Sequence, residues 1–165
     1  MADVRWRRGL YRGRQVWQAL RPRIEPGELS IVDQTLSPSL RQLFDRMERR
    51  DQRHALEVTQ RLSSEGTSDN DLIIAALLHD CGKGGVPVWI RIAKVLAPGW
   101  VRRMAREGGD DWRAAAFRLV HHAELGARAA EEAGASSLTV ALIRGEVAPS
   151  ETGILARLIA ADDAS

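Results

Sequence analysis

The chain has 165 residues, 44% of them hydrophobic and 28% charged, with a formal net charge of +2. That composition fits one globular domain with a short appendage and excludes a fibrous or disordered chain. A single cysteine, Cys81, excludes an intramolecular disulfide and a multi-cysteine zinc cluster. The longest clean apolar run, Leu72 to Leu78, is far too short to span a bilayer. No apolar stretch follows the basic start of the chain, so a cytoplasmic location is the expectation. Residues 1–23 carry seven arginines against Asp3, about +6, which leaves the rest of the chain at about −4. The high isoelectric point therefore belongs to the leading arm and does not argue that the body binds nucleic acid.

In chain order, residues 4–20 read as a basic helix with an apolar stripe at Trp6, Leu10, Gly13, Trp17 and Leu20, ended by Pro22 and Pro26. Residues 25–36 read as a connector. Ser37-Pro38 is a helix start, with serine as N-cap and proline in the first turn, and the helix is expected to run to about Ser63. Asp69 or Asn70 caps the next helix, whose apolar residues surround its axis and place it at the centre of the molecule. Gly82, Gly84 and Gly85 end it. A helix at about 87–96 closes at Pro98-Gly99, residues 104–110 form a loop, and a long helix runs from Asp111 to Ala133. Two more follow, at about 136–146 and 150–163. The expectation is an all-α bundle of five or six helices behind an N-terminal helical arm.

Four histidines are present: His54, His79, His121 and His122. His79 is followed directly by Asp80 at the end of the apolar helix, where an imidazole and a carboxylate make a mixed donor set for a first-row metal. A carboxylate in that place costs desolvation energy unless a cation or hydrogen bonds meet it. The bland alternative is that His79 caps the helix and Asp80 is a loop acid. His54 lies among Asp51, Arg53, Ala55 and Leu56, and taken alone reads as a surface histidine. His121 shares a face with Phe117 and Leu125 and reads as packing, which makes His122 the better ligand candidate. Cys81 reads as a small buried apolar residue. Glu131-Glu132 is a solvated face, and Trp89, Trp100 and Trp112 read as core anchors.

The segments Arg53-His54, Leu77-Leu78-His79-Asp80-Cys81-Gly82-Lys83, His121-His122 with Gly126, and Ala161-Asp162-Asp163 occur in the order H…HD…H…D. Together, over about residues 40–163, they resemble the HD-domain superfamily of metal-dependent phosphohydrolases. The central segment is similar to the LLHDIGK signature of its small bacterial members.

The resemblance implies a compact helical bundle over residues 37–163, preceded by the arm at 1–24. It implies that His54, His79, Asp80 and Asp162 hold a divalent metal and that Asp80 and Lys83 serve catalysis, Lys83 near the substrate phosphate. Manganese, iron, magnesium and cobalt are the candidate ions. His122 matches an H-x-x-x-G step, and Glu146 stands nearest to where two-metal members carry a further ligand; one ion is the expectation. Asp162 is preferred to Asp163 because it follows Ala161. No Gly-Tyr-Pro motif occurs, which speaks against the cyclic-dinucleotide phosphodiesterase branch. The implied reaction is hydrolysis of a phosphate ester by metal-activated water, with a nucleotide as the leading substrate class. The alternatives are a catalytically silent module that binds a nucleotide or a protein, and an interaction protein working through its basic arm. That arm is expected to pack its Trp6, Leu10 and Trp17 face on the body or on a partner subunit, with nucleic acid or membrane as the alternative contact.

Overall fold

A computed structural model describes residues 23–165. The expected helix over 4–20 lies outside the described residues. Among them are nine α-helices and no strand: α1 Ser30–Thr35, α2 Pro38–Arg46, α3 Arg49–Ser64, α4 Asn70–Leu78, α5 Val88–Leu96, α6 Pro98–Met104, α7 Trp112–Glu132, α8 Ser137–Arg144 and α9 Thr152–Asp163. Short 3₁₀ turns at Pro26–Leu29 and Pro149–Glu151 precede α1 and α9.

The count exceeds the five or six expected, for three local reasons. The supposed connector is helical, and its Val32 and Leu36 are buried in the main core. The single helix expected from 38 to 63 breaks at Met47 and Glu48, whose backbones are extended. Buried Gln52 stabilises that break by donating from Nε2 to the Phe44 carbonyl at 2.9 Å, so the last turn of α2 is not left unsatisfied. Finally, Pro98 starts a new helix, α6, rather than only ending α5.

Side-chain caps start four of the described helices, Ser37 and Asp69 as expected among them. Ser37 accepts from the Leu40 amide, and Asp69 accepts from the Leu72 amide. Asp111 accepts from the Arg113 and Ala114 amides, and Ser136 accepts from the Thr139 amide. Gly145 ends α8 with φ of 79°, a left-handed conformation that a side chain would strain.

All residues of α4 from Leu72 to Leu78 are buried. This helix is the axis of the bundle, touched by α1, α2, α3, α8 and α9. A second, smaller core lies beside it, formed by Val86, Ile90, Val101, Ala115, Ala116 and Leu119 under the α5–α6 hairpin. Trp89 and Trp100 are not core anchors as expected: both are exposed and lie against Trp112 at the surface.

Candidate metal centre

The site forms where the buried axis helix ends. His79 is the C-cap of α4, and its Nδ1–H donates to the Ala76 carbonyl at 2.9 Å. A carbonyl only accepts, so Nδ1 carries the proton and Nε2 keeps its lone pair toward the site. That Nε2 is buried and has no hydrogen-bond partner. Asp80 follows in the turn beyond, also buried, with Oδ1 3.6 Å from His79 Nε2. Its other oxygen accepts from the Lys83 ammonium, which the turn brings back.

Two further helices supply the remaining donors. His54 projects from α3, and its ring meets that of His79 edge-on with centroids 5.3 Å apart. Asp162 enters from α9; its Oδ1 is 2.6 Å from His54 Nε2 and 3.5 Å from His79 Nε2. Its neighbour Asp163 is exposed. Ligand atoms of His54, His79 and Asp80 all lie within 4.8 Å of one another, and Asp162 borders both histidines.

His122 comes from α7, which is kinked at His121 (φ −108°, ψ 17°). Its Nδ1–H donates to the Leu119 carbonyl at 3.1 Å, and Nε2 faces Asp80 Oδ1 at 3.8 Å. His121 turns the other way, exposed, with its ring 4.4 Å from that of Phe117. Glu146 is exposed beyond the end of α8 and is not among the residues whose ligand atoms converge.

Two glycines hold α7 against the turn. A β-carbon on Gly126 would lie 3.2 Å from Cys81 Sγ and from the Gly82 amide, and one on Gly82 would lie 2.5 Å from the Gly126 amide. The H-x-x-x-G spacing thus has a structural cause: the glycine admits the turn that carries the donors, and the histidine one helical turn earlier overlooks them. Cys81 is packed into this joint. Burial pushes its thiol up to about 12, so it is a protonated packing group.

The electrostatics favour a cation. Burial alone would lower His79, but the nearby Asp162 and Asp80 carboxylates outweigh it and raise it, so Nε2 stands where a cation, proton or metal ion, is drawn in. Burial would raise Asp80, yet His79, Lys83 and His122 hold it down. Asp162 lies well below the usual carboxylate range, held first by the hydrogen bond to His54 and then by His79 nearby. Burial and then the Lys83 charge lower His122, which keeps it neutral near pH 7. A buried lone pair without a donor, flanked by two ionised carboxylates, fits a divalent ion.

Two groups were not legible in the sequence. Lys94, on α5, donates to the same Leu119 carbonyl at 3.2 Å, and burial and then Lys83 lower its pKa. It is therefore a second ammonium near Lys83 and His122. Arg91 grips buried Asp51 with two parallel bonds, of 3.0 and 2.8 Å, and Glu48 with one of 3.0 Å, pinning α5 to the helix that carries His54.

A family model for the HD domain matches residues 52–164, the segment that holds His54, the His79-Asp80 doublet and Asp162. The chain belongs to the HD-domain family, whose superfamily consists mostly of metal-dependent phosphohydrolases. Comparison with curated proteins and with solved structures gave no match.

Proposed function

We propose that this protein is a metal-dependent phosphohydrolase that cleaves a phosphate ester, with a nucleotide as the leading substrate class by family analogy. One observation carries the reading. The buried, unpartnered Nε2 of His79 sits within 4.8 Å of ligand atoms of His54 and Asp80. His54, His79, Asp80 and Asp162 would hold the ion. When bound there, a divalent cation supplies Lewis acidity to a phosphoryl oxygen and lowers the pKa of water.

The chain's own groups do the rest. Lys83 and Lys94 place two ammonium charges beside the site, where the anionic phosphate is held. Lys83 also keeps Asp80 ionised. His122, neutral with its Nε2 lone pair toward Asp80, is placed to accept a proton as water attacks phosphorus. Ala76 fixes the tautomer of His79 through its carbonyl.

The test is a screen of the purified full chain against nucleotides and phosphomonoesters with manganese, magnesium, iron and cobalt in turn, and with chelator. Turnover that needs metal supports the reading. Nucleotide binding without turnover under every metal favours the silent regulatory module.

A further inference from the structure

The α5–α6 hairpin is built inside out. Along α5, Val88, Trp89, Ile92, Val95 and Leu96 follow the spacing of a single helix face. That face is turned to solvent: Ile92 is 54% exposed, Val95 80% and Leu96 78%. The charged residues of the same helix point inward, Arg91 to Asp51 and Glu48, and Lys94 to the Leu119 carbonyl. Single exposed apolar residues are ordinary, but a contiguous apolar face on a helix that hides its cations needs an apolar environment outside the molecule.

The exposed run continues around the turn. Every residue from Val95 to Trp100 is exposed, so the patch is a convex tip rather than a groove. At its base, Trp100 stacks on Trp112 with centroids 5.7 Å apart, and Trp89 packs on Trp112 at 5.5 Å. Half-exposed indoles of this kind favour a water–lipid boundary.

Charge identifies the occupant. From Cys81 to Arg106 there is no Asp or Glu, while six cations occur: Lys83, Arg91, Lys94, Arg102, Arg103 and Arg106. Arg102 and Arg103 are exposed on α6 and have no carboxylate partner among the described residues. A second copy of the chain would set these arginines against their own like. The arginine-rich first 22 residues would also bring positive charge to a positive rim. The matching surface is apolar beneath and anionic at its rim, and it must yield to a convex tip. We infer that the α5–α6 tip docks on an anionic lipid bilayer. Ile92, Val95, Leu96 and Trp100 enter the headgroup–acyl boundary, and Arg102 and Arg103 meet lipid phosphates. This is attachment to a surface; among the described residues no helix is long and apolar enough to cross a membrane.

The experiment is co-sedimentation of the full chain with phosphatidylcholine vesicles, with and without phosphatidylglycerol, at low and high salt. Binding that requires phosphatidylglycerol and weakens with salt is expected. Leu96→Asp and Val95→Asp change exposed side chains, and circular dichroism checks that each variant folds. Each is expected to lower vesicle affinity about tenfold, the loss of one apolar side chain from the boundary. Three results overturn the inference. One is the absence of binding to anionic vesicles. Another is binding unchanged in both folded variants, which would assign it to residues 1–22. The third is a dimer in light scattering that Leu96→Asp dissolves while vesicles are ignored, which would make the tip a self-interface.

Discussion

A β-carbon on Gly82 would lie 2.1 Å from the carbonyl oxygen of His122. Both atoms belong to backbone or are fixed to it, so no side-chain rotation relieves the clash. Gly82→Ala should therefore force α7 away from the turn and destabilise the protein by about 3 kcal/mol or more. Gly99→Ala is the control, because a β-carbon there meets nothing within 4 Å. Urea unfolding of the two variants checks the contrast.

Asp80→Ala should abolish metal-dependent hydrolysis and weaken metal affinity at least about 100-fold. It also removes the partner of Lys83. Far-ultraviolet circular dichroism should stay helical, since Asp80 lies beyond the end of α4. Wild-type turnover in the variant would mean that the centre has been misplaced.

Elemental analysis of the loaded protein should find one ion per chain. His122→Ala should retain that stoichiometry while losing turnover, because His122 stands 3.8 Å from Asp80 and is not among the residues whose ligand atoms converge. Two ions in the wild type, falling to one in Glu146→Ala, would promote Glu146 to a ligand despite its exposure.

Lys94→Met should raise KM about tenfold, equivalent to about 1.4 kcal/mol, with a smaller change in kcat. The expected split follows if Lys94 holds the phosphate without touching the reacting bond. Steady-state kinetics with one substrate from the screen decides it; a fall in kcat alone would assign Lys94 to the support of α7 through Leu119.

The N-cap of α7 provides a pH signature away from the centre. The Ala114 amide bond, then opposing burial, then Arg106 act on Asp111, and its carboxyl ends below the ordinary value of 3.8. A lowered acid stabilises the fold when ionised, so its contribution is full above that value and fades as pH drops through the lower folded one. Asp111→Ala should lower Tm near neutral pH, and the gap to wild type should narrow only below about pH 4. Thermal scans across that range check the sign.

Local chemistry wrote much of this structure into the sequence. Ser37-Pro38, Asp69, Asp111 and Ser136 announce helix starts because a cap needs only its own next three residues. The uninterrupted apolar run before His79 announces a buried helix because no face is left for water. The helix break at Met47 and the kink at His121 have no such local marker. The first depends on Gln52 reaching back to the Phe44 carbonyl. The second lies at a tertiary joint. The centre shows the same division. The His79-Asp80 doublet is visible as adjacent letters, and Gly126 is legible as a place of close approach. Lys94 is invisible because its importance comes from a carbonyl on another helix that it shares with His122. Trp89 and Trp100 misled because size suggests burial, while both lie half-exposed against Trp112 at the surface instead.

The kink at His121 also divides α7 between two packing units. Ala115, Ala116 and Leu119, before it, belong to the small core under α5 and α6; Ala127 and Ala130, after it, belong to the large core around α4. Local opening is set by the core a segment joins rather than by the helix it belongs to. The two halves of this one helix should consequently exchange their amide hydrogens at different rates. Residues 112–120 would open together with the hairpin, and residues 123–132 would open only with the whole molecule. His122 then stands on a seam between a part of the protein that breathes and a part that does not.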